Sequence, residues 1–331
     1  MGDRPSIRDV AREAGVSTAL ASFALNDRDG VAAATKERIL EVASRLGYRA
    51  DPVARALRTG STDTFGLMIR NMRNPLFLEI IRGAQAAATA RGATILAVDS
   101  DYSAEREHEH LEHLAARRVS GLAIAPVGTG EAVRTWRALS PAATTVVLNA
   151  VTEPDPAVSR VTPDNVSAVR QAVDHLAGLG HREITFLTAP AGVVADTDRV
   201  EAFFARCAEI GVRPDAVEVA LSIDGVETRT AELLASDRPP TAIVTNSDFT
   251  AHAVYRAARA RNVRIGAELS VVGHDDLTTS ELLDPPLTTL RLDRHALGAA
   301  VFERLADGPS LGDHVEPVEL VARGSTAPPA R

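Results

Sequence analysis

The sequence predicts an α/β chain in which a small helical unit precedes a larger body of parallel sheets. Two observations carry that expectation. Apolar stripes at helical spacing fill the first fifty residues, and from Phe65 onward strand-length apolar runs alternate with longer amphipathic segments. A break near Asp155–Asp164 interrupts the alternation, as a crossing between two lobes would.

In the front unit, Ile7, Val10, Ala11 and Ala14 fall at i, i+3, i+4 and i+7, with Ser6 placed to cap them. Gly15 ends the run. Ser17 caps a second helix over 18–25, on which Ala21, Ala24 and Leu25 share a face. Thr18, Ala19, Ser22 and Phe23 are left to point outward or sideways. A third helix runs from about Thr35 to Leu46 on Ile39, Val42, Ala43 and Leu46, and Gly47 ends it. Three short helices with a tight turn between the first two form a helix-turn-helix pattern, whose second helix can enter a DNA major groove. The spacing alone equally allows a small helical cap or dimerisation unit, and allows Phe23 to be a packing residue.

In the body, "FGLMI" is the first strand, followed by a helix over 77–91 that ends at Gly92. "TILAV", "GLAIA" and "TVVLN" continue the pattern. It resumes with "ITFLT", "TAIVT" and "LSVVG". Near-continuous apolar strands alternating with helices argue for parallel sheets covered on both faces.

The 331 residues suit two or three units better than one core. A net charge of -8 opposes a uniformly basic nucleic-acid coat, but residues 1–60 carry a formal +2 and the remainder -10. Cys207 is the sole cysteine, so an intrachain disulfide and a cysteine zinc cluster are excluded. "AFFARCAEI" reads as a helix with a buried thiol. No apolar signal core opens the chain and no run reaches membrane-spanning length, so a cytoplasmic protein without membrane association is expected. Dinucleotide, Walker and nucleophile-elbow fingerprints are missing, no cofactor is implied, and no enzyme is expected. "HEHLEH", from His108 to His113, does not put three imidazoles on one helix face and reads as a solvated surface. Asp275 and Asp276 follow the strand "LSVVG", where a ligand loop belongs.

"SIRDVAREAGVSTALASFALN" and "VAAATKERILEVASRLGYRADPVARALRTGSTDTFGLMI" closely resemble the lactose-repressor/galactose-repressor (LacI/GalR) family. The likeness continues through "NPLFLEIIRGAQAAATARG", "DNVSAVRQAVDHLAGLGHREITFL" and "SVVGHDD", covering practically the whole chain. The resemblance implies a helix-turn-helix headpiece, a hinge helix and a two-lobed core like that of periplasmic binding proteins. It implies a headpiece over 1–50, a hinge over 51–60, a first lobe from 61–162 with 292–325, a second lobe over 163–291, and a tail over 326–331.

Carried onto this sequence, the resemblance places Thr18, Ala19 and Phe23 at base edges and Ser17 and Ser22 at phosphates. Phe23 stands where the family often has Arg, which removes a bidentate guanine reader and leaves largely apolar readout, such as contact with a thymine methyl. Asp51 and Pro52 suit the start of the hinge helix. Ala54 and Leu57 match its small residue and minor-groove wedge, and Arg55 and Arg58 are placed for phosphate. For the effector the resemblance selects Asp275, Asp248 and Arg199, with Asn74 and Phe77 as a lip and Asp164 at the crossover. Ala168 and Ala202 replace frequent glycines, His274 replaces an aromatic, and the stretch around Leu221 lacks one, so a polar pocket with few stacking platforms is expected. The implied protein is a homodimer, or a tetramer, on a palindromic operator. It would repress carbohydrate uptake or metabolism genes and respond to a sugar or related small metabolite. The rivals are a sugar-binding protein without specific DNA readout and a sugar-processing enzyme.

Overall fold

The computed structural model describes residues 5–25, 29–48, 62–190, 192–193 and 197–330. Contacts divide the chain into Met1–Thr62 and Asp63–Arg331.

The first unit contains α1 (Ile7–Glu13), α2 (Thr18–Leu25) and α3 (Ala33–Leu46). The Asp9 carboxylate accepts from the Ser6 backbone N–H at 2.9 Å and from its hydroxyl at 2.7 Å, which fixes the start of α1. Gly15, at φ 64, makes the turn, and Ser17 Oγ accepts from Leu20 N at 3.1 Å to cap α2. α3 begins two residues before the expected start, at Ala33 rather than Thr35, because the chain is already extended at Ala32 (ψ 140). Gly47 ends it in the left-handed region, at φ 66. The core is Val10, Ala11, Ala14, Ala21, Ala24, Ile39, Val42 and Ala43. Small alanines on α1 and α2 let these short helices close on one another.

In the second unit, β1 (Thr64–Ile69), β2 (Thr94–Asp99), β3 (Gly121–Ile124), β4 (Thr144–Leu148), β5 (Val158–Pro163) and β11 (His314–Glu316) form one sheet in the order β11-β5-β4-β3-β1-β2. Every pairing in it is parallel. α4 (Pro75–Ala90) and α11 (Arg294–Asp307) share a core with it, and α5 (Ala104–Ala116) and α6 (Glu131–Leu139) share another around the fully buried Trp136. A second parallel sheet, β7-β6-β8-β9, contains β6 (Glu183–Thr188), β7 (Arg213–Glu218), β8 (Ala242–Thr245) and β9 (Ser270–Val272). Its helices are α7 (Asn165–Gly178), α8 (Thr197–Ile210), α9 (Ile223–Leu234) and α10 (Asp248–Ala260). The inner strands β3 and β8 bury on both faces, as their continuous apolar sequences require, while the edge strands β2, β7 and β11 are partly exposed. An antiparallel ribbon of β10 (Thr289–Leu292) and β12 (Val318–Val321) crosses between the lobes. After β12 the chain returns to the second lobe: Val271 N donates to Ser325 O, and Ala327 N to Ser270 Oγ.

α4 and α11 touch backbone to backbone. A Cβ on Gly298 would lie 2.1 Å from Ile80 O, and one on Gly83 would lie 2.1 Å from His295 O. Side chains on both helices normally hold axes 8–10 Å apart, and these two glycines remove that spacer.

Candidate functional site

On α2, Ala21 and Ala24 face the small core, so the positions between them face away. Ser17, Thr18 and Ala19 are exposed, Ser22 is half-buried, and Phe23 is 40% exposed. Phe23 is therefore not a core residue: it shares an accessible helix face with Thr18, Ala19 and Ser22. Asp51, Pro52, Ala54, Arg55, Leu57 and Arg58 lie outside the described residues.

In the larger unit, a cleft of about 670 Å3, its open mouth included, lies between the lobes. Its wall follows from topology, because loops at the carboxyl ends of parallel strands converge there. β1 leads to Arg70, β2 to Tyr102 and β4 to Asn149. β7 leads to Leu221, β8 to Asn246 and β9 to Asp275. Asn74 and Phe77 enter from the first turn of α4, and Arg199 enters from α8.

Asp275 is 2% exposed and sits at φ 115, a conformation that costs a non-glycine residue on the order of 1–3 kcal/mol. Its Oδ1 is 3.1 Å from His274 Nδ1, and its Oδ2 is buried with no hydrogen-bond partner among the described residues. Burial pushes its pKa up to about 7, opposed by the cations Arg199 and Arg294. Burial holds the neighbouring imidazole of His274 well below its ordinary value, and Arg199 adds to this. The ring is therefore neutral.

Arg199 is held by donation from Nε to Asn165 Oδ1 and from Nη1 to the Asn246 carbonyl, both at 2.9 Å. Asn165 is itself fixed by donation to Asp198 Oδ2 at 3.0 Å. This frame leaves Nη2 of Arg199 without a partner among the described residues. On the opposite lobe, Arg70 Nη2 donates to the Asn149 carbonyl at 3.1 Å, and its guanidinium lies 5.8 Å from the Phe77 ring centroid. An unmatched carboxylate oxygen, oriented guanidinium donors and amides from both lobes form a surface suited to a small polyhydroxylated molecule.

Residues 6–51 match the family described as bacterial regulatory proteins, lacI family, and residues 173–326 match a periplasmic binding protein-like domain. The chain is 32% identical to the HTH-type transcriptional regulator PtxS of Pseudomonas putida over 338 residues, spanning 98% of this chain and 97% of that protein. The chain belongs to the LacI family. The HTH-type transcriptional repressor CytR of Escherichia coli is 26% identical, over 97% of this chain and 96% of its own length. Among solved structures, the Lac repressor dimer bound to operator and an anti-inducer aligns with a TM-score of 0.86 and 26% identity, over 98% of this chain and 100% of that one. This LacI-family chain is a DNA-binding transcriptional regulator, with the helix-turn-helix headpiece and periplasmic-binding-protein-like core expected from its sequence.

Of the residues expected at the effector, the cleft brings together Asn74, Phe77, Arg199, Leu221 and Asp275. Asn74 also uses its Oδ1 to accept from Leu76 N at 3.0 Å, capping α4. Three others do not line the cleft. Asp248 is fully buried, and its carboxylate accepts from Leu277 N (2.8 Å), Ser280 Oγ (2.5 Å) and Thr289 Oγ1 (2.6 Å), pinning the loop after β9. His274 is buried against Asp275 rather than facing the cleft. Asp164 caps α7 by accepting from Ser167 N at 3.0 Å. Asp248 and Asp164 spend carboxylate oxygens on protein partners, and the His274 ring is turned onto Asp275.

The expectation of few aromatic platforms is also corrected, because Phe77, Tyr102 and Phe249 all line the cleft. Arg70, Tyr102, Asn149, Asn246, Ser222 and Phe249 were not expected there. Their signal in the sequence is positional: each lies within a few residues of the end of a strand-like apolar run or its following turn.

Proposed function

We propose that this regulator represses genes of carbohydrate uptake or metabolism in the cytoplasm. It does so by binding a palindromic operator as a homodimer, and a sugar or sugar derivative in the interlobe cleft changes its hold on DNA. The observation that carries the effector reading is the buried, unmatched Oδ2 of Asp275 in a cleft shared with Arg199, Asn74 and Asn149. A buried acceptor without a donor is costly. A ligand hydroxyl would satisfy it, and the faces of Phe77, Tyr102 and Phe249 would cover the apolar side of a sugar ring.

The DNA reading is supported by the outward face of α2. In this reading Ser17 and Ser22 meet phosphates, while Thr18, Ala19 and Phe23 read bases. Phe23 presses on a thymine methyl in place of a guanine-reading arginine. Arg55 and Arg58 would contact phosphate, and Ala54 and Leu57 would enter the minor groove at the centre of the site. The effector acts only through its different affinity for the two lobe arrangements, one compatible with operator binding and one not.

Selection from random DNA by the full chain tests the operator reading. The expected outcome is an enriched two-fold symmetric site whose affinity falls steeply with salt. No symmetric enrichment at low salt overturns it. Calorimetry with a panel of sugars and metabolites, on wild type and Asp275→Ala, tests the effector reading. A ligand that binds both proteins equally well overturns the cleft assignment.

A further inference from the structure

The loop that presents Asp275 belongs to the second lobe, yet one of its strongest ties runs to the first. Arg294 is the first residue of α11, which packs on α4 and the first sheet. Its Nη1 donates to the carbonyl of Asp275 at 2.6 Å and to that of Asp276 at 2.5 Å. Both residues have positive φ, 115 and 51, which brings their two carbonyls within reach of a single nitrogen. Charge-assisted bonds of this kind are short and strong. The crossing ribbon holds the same loop from its other sides. Asp275 N donates to Leu290 O at 2.9 Å, and Asp276 is paired with Arg291 at 2.6 Å and with Arg323 at 2.7 Å.

We infer that Arg294 is a positioning residue that locks the Asp275–Asp276 loop to the first lobe, so that the placement of the Asp275 carboxylate and the angle between the lobes change together. The path beyond Arg294 has no slack. α11 meets α4 at Gly298 and Gly83, where backbone contacts leave no room even for a methyl group. α4 carries Asn74 and Phe77 into the opposite wall of the cleft. Movement of the Asp275 loop is thereby passed through Arg294 and α11 to the far side of the same cleft. A closed loop of stiff contacts of this kind has discrete arrangements rather than a continuum, which is what a two-state regulator needs. The link to regulation rests on the effector reading above. The mechanical inference does not, and its test uses no ligand.

The full chain is labelled with spin probes at Glu112→Cys on the first lobe and Glu232→Cys on the second, both exposed positions, with the buried Cys207 left in place. Interlobe distances are compared in Arg294→Met, Arg294→Lys and the otherwise unaltered protein. The expected result is a displaced or broadened distribution in the Met variant, recovered in the Lys variant, because one charged donor atom holds both carbonyls.

A second readout separates positioning from packing. Asp275 is faced by His274, Arg199, Arg294, Asp248 and Tyr102. Removing the Arg294 cation raises the pH at which Asp275 ionises, because that cation favours the charged carboxylate. The pH at which the stability difference between Asp275 and Asp275→Asn proteins levels off therefore moves upward in the Met background and returns in the Lys background, while its start, set by the unfolded carboxyl, stays in place. If Arg294→Met does not fold, Arg294→Gln, which keeps an amide donor but no charge, is read in the same way. An unchanged interlobe distribution in the Met variant overturns the inference, whether or not the upper pH limit moves.

Discussion

Replacing Asp275 by Asn tests the cleft chemistry with and without effector. The unfolded carboxyl titrates near 3.8, and burial raises the folded value to about 7. Between those values the folded protein keeps a proton that the unfolded chain has lost. The stability this group contributes is complete below about 4 and is lost as pH rises through about 7. The displacement corresponds to about 4 kcal/mol for a group this deeply buried. Asn carries no charge but still buries a polar amide, so about 1–3 kcal/mol returns at pH 8 and almost none at pH 5. For a unit of this size that is a rise in Tm of about 2–6 °C at the higher pH only. Effector binding moves the other way. The atom facing the cleft becomes a donor where an acceptor is needed, which strands a ligand hydroxyl at about 1–3 kcal/mol, a roughly five- to hundred-fold loss. Differential scanning calorimetry at pH 5 and 8, with titration calorimetry against the sugar panel, reads both. An equal stability change at the two pH values, or full effector affinity in the variant, would refute the reasoning.

Arg199→Ala removes oriented donors from the cleft and should weaken effector binding about five- to hundred-fold while leaving effector-free operator binding intact, read by calorimetry and DNA mobility shift. Gly298→Ala drives a methyl into the Ile80 carbonyl and should cost at or above the upper end of the about 1–3 kcal/mol typical of overpacking, measured by urea denaturation. Phe23→Ala should lower operator affinity about five- to thirty-fold without changing the salt slope, since an apolar base contact neutralises no phosphate. Leu57→Ala should weaken specific binding and reduce DNA bending in a fluorescence assay while the core melts as in wild type.

The helices of the first unit were legible because each is fixed by near neighbours. Ser6 with Asp9, Gly15, Ser17 and Gly47 are caps and turns set within a few residues, and the apolar spacing of Ile39, Val42 and Ala43 marks the buried face. The apolar strands of both sheets were legible in the same way, as continuous runs bounded by turns, whereas β5, β7 and β11 carry polar residues and were not read as strands. The resemblance brought Asn74, Phe77, Arg199 and Asp275 to attention, and all four line the cleft.

The tertiary structure decided which acids are available to a ligand. Asp248 and Asp275 both follow apolar strands, and in sequence they look alike. Asp248 meets Leu277, Ser280 and Thr289 from later in the chain and is fully used. Asp275 is turned by its positive φ and held through its backbone by Leu290 and Arg294, which leaves Oδ2 without a partner among the described residues. Helix caps and strand patterns are local and leave a mark in sequence spacing. Whether a carboxylate is satisfied depends on partners that only folding brings within 3 Å, and no spacing along the chain records them.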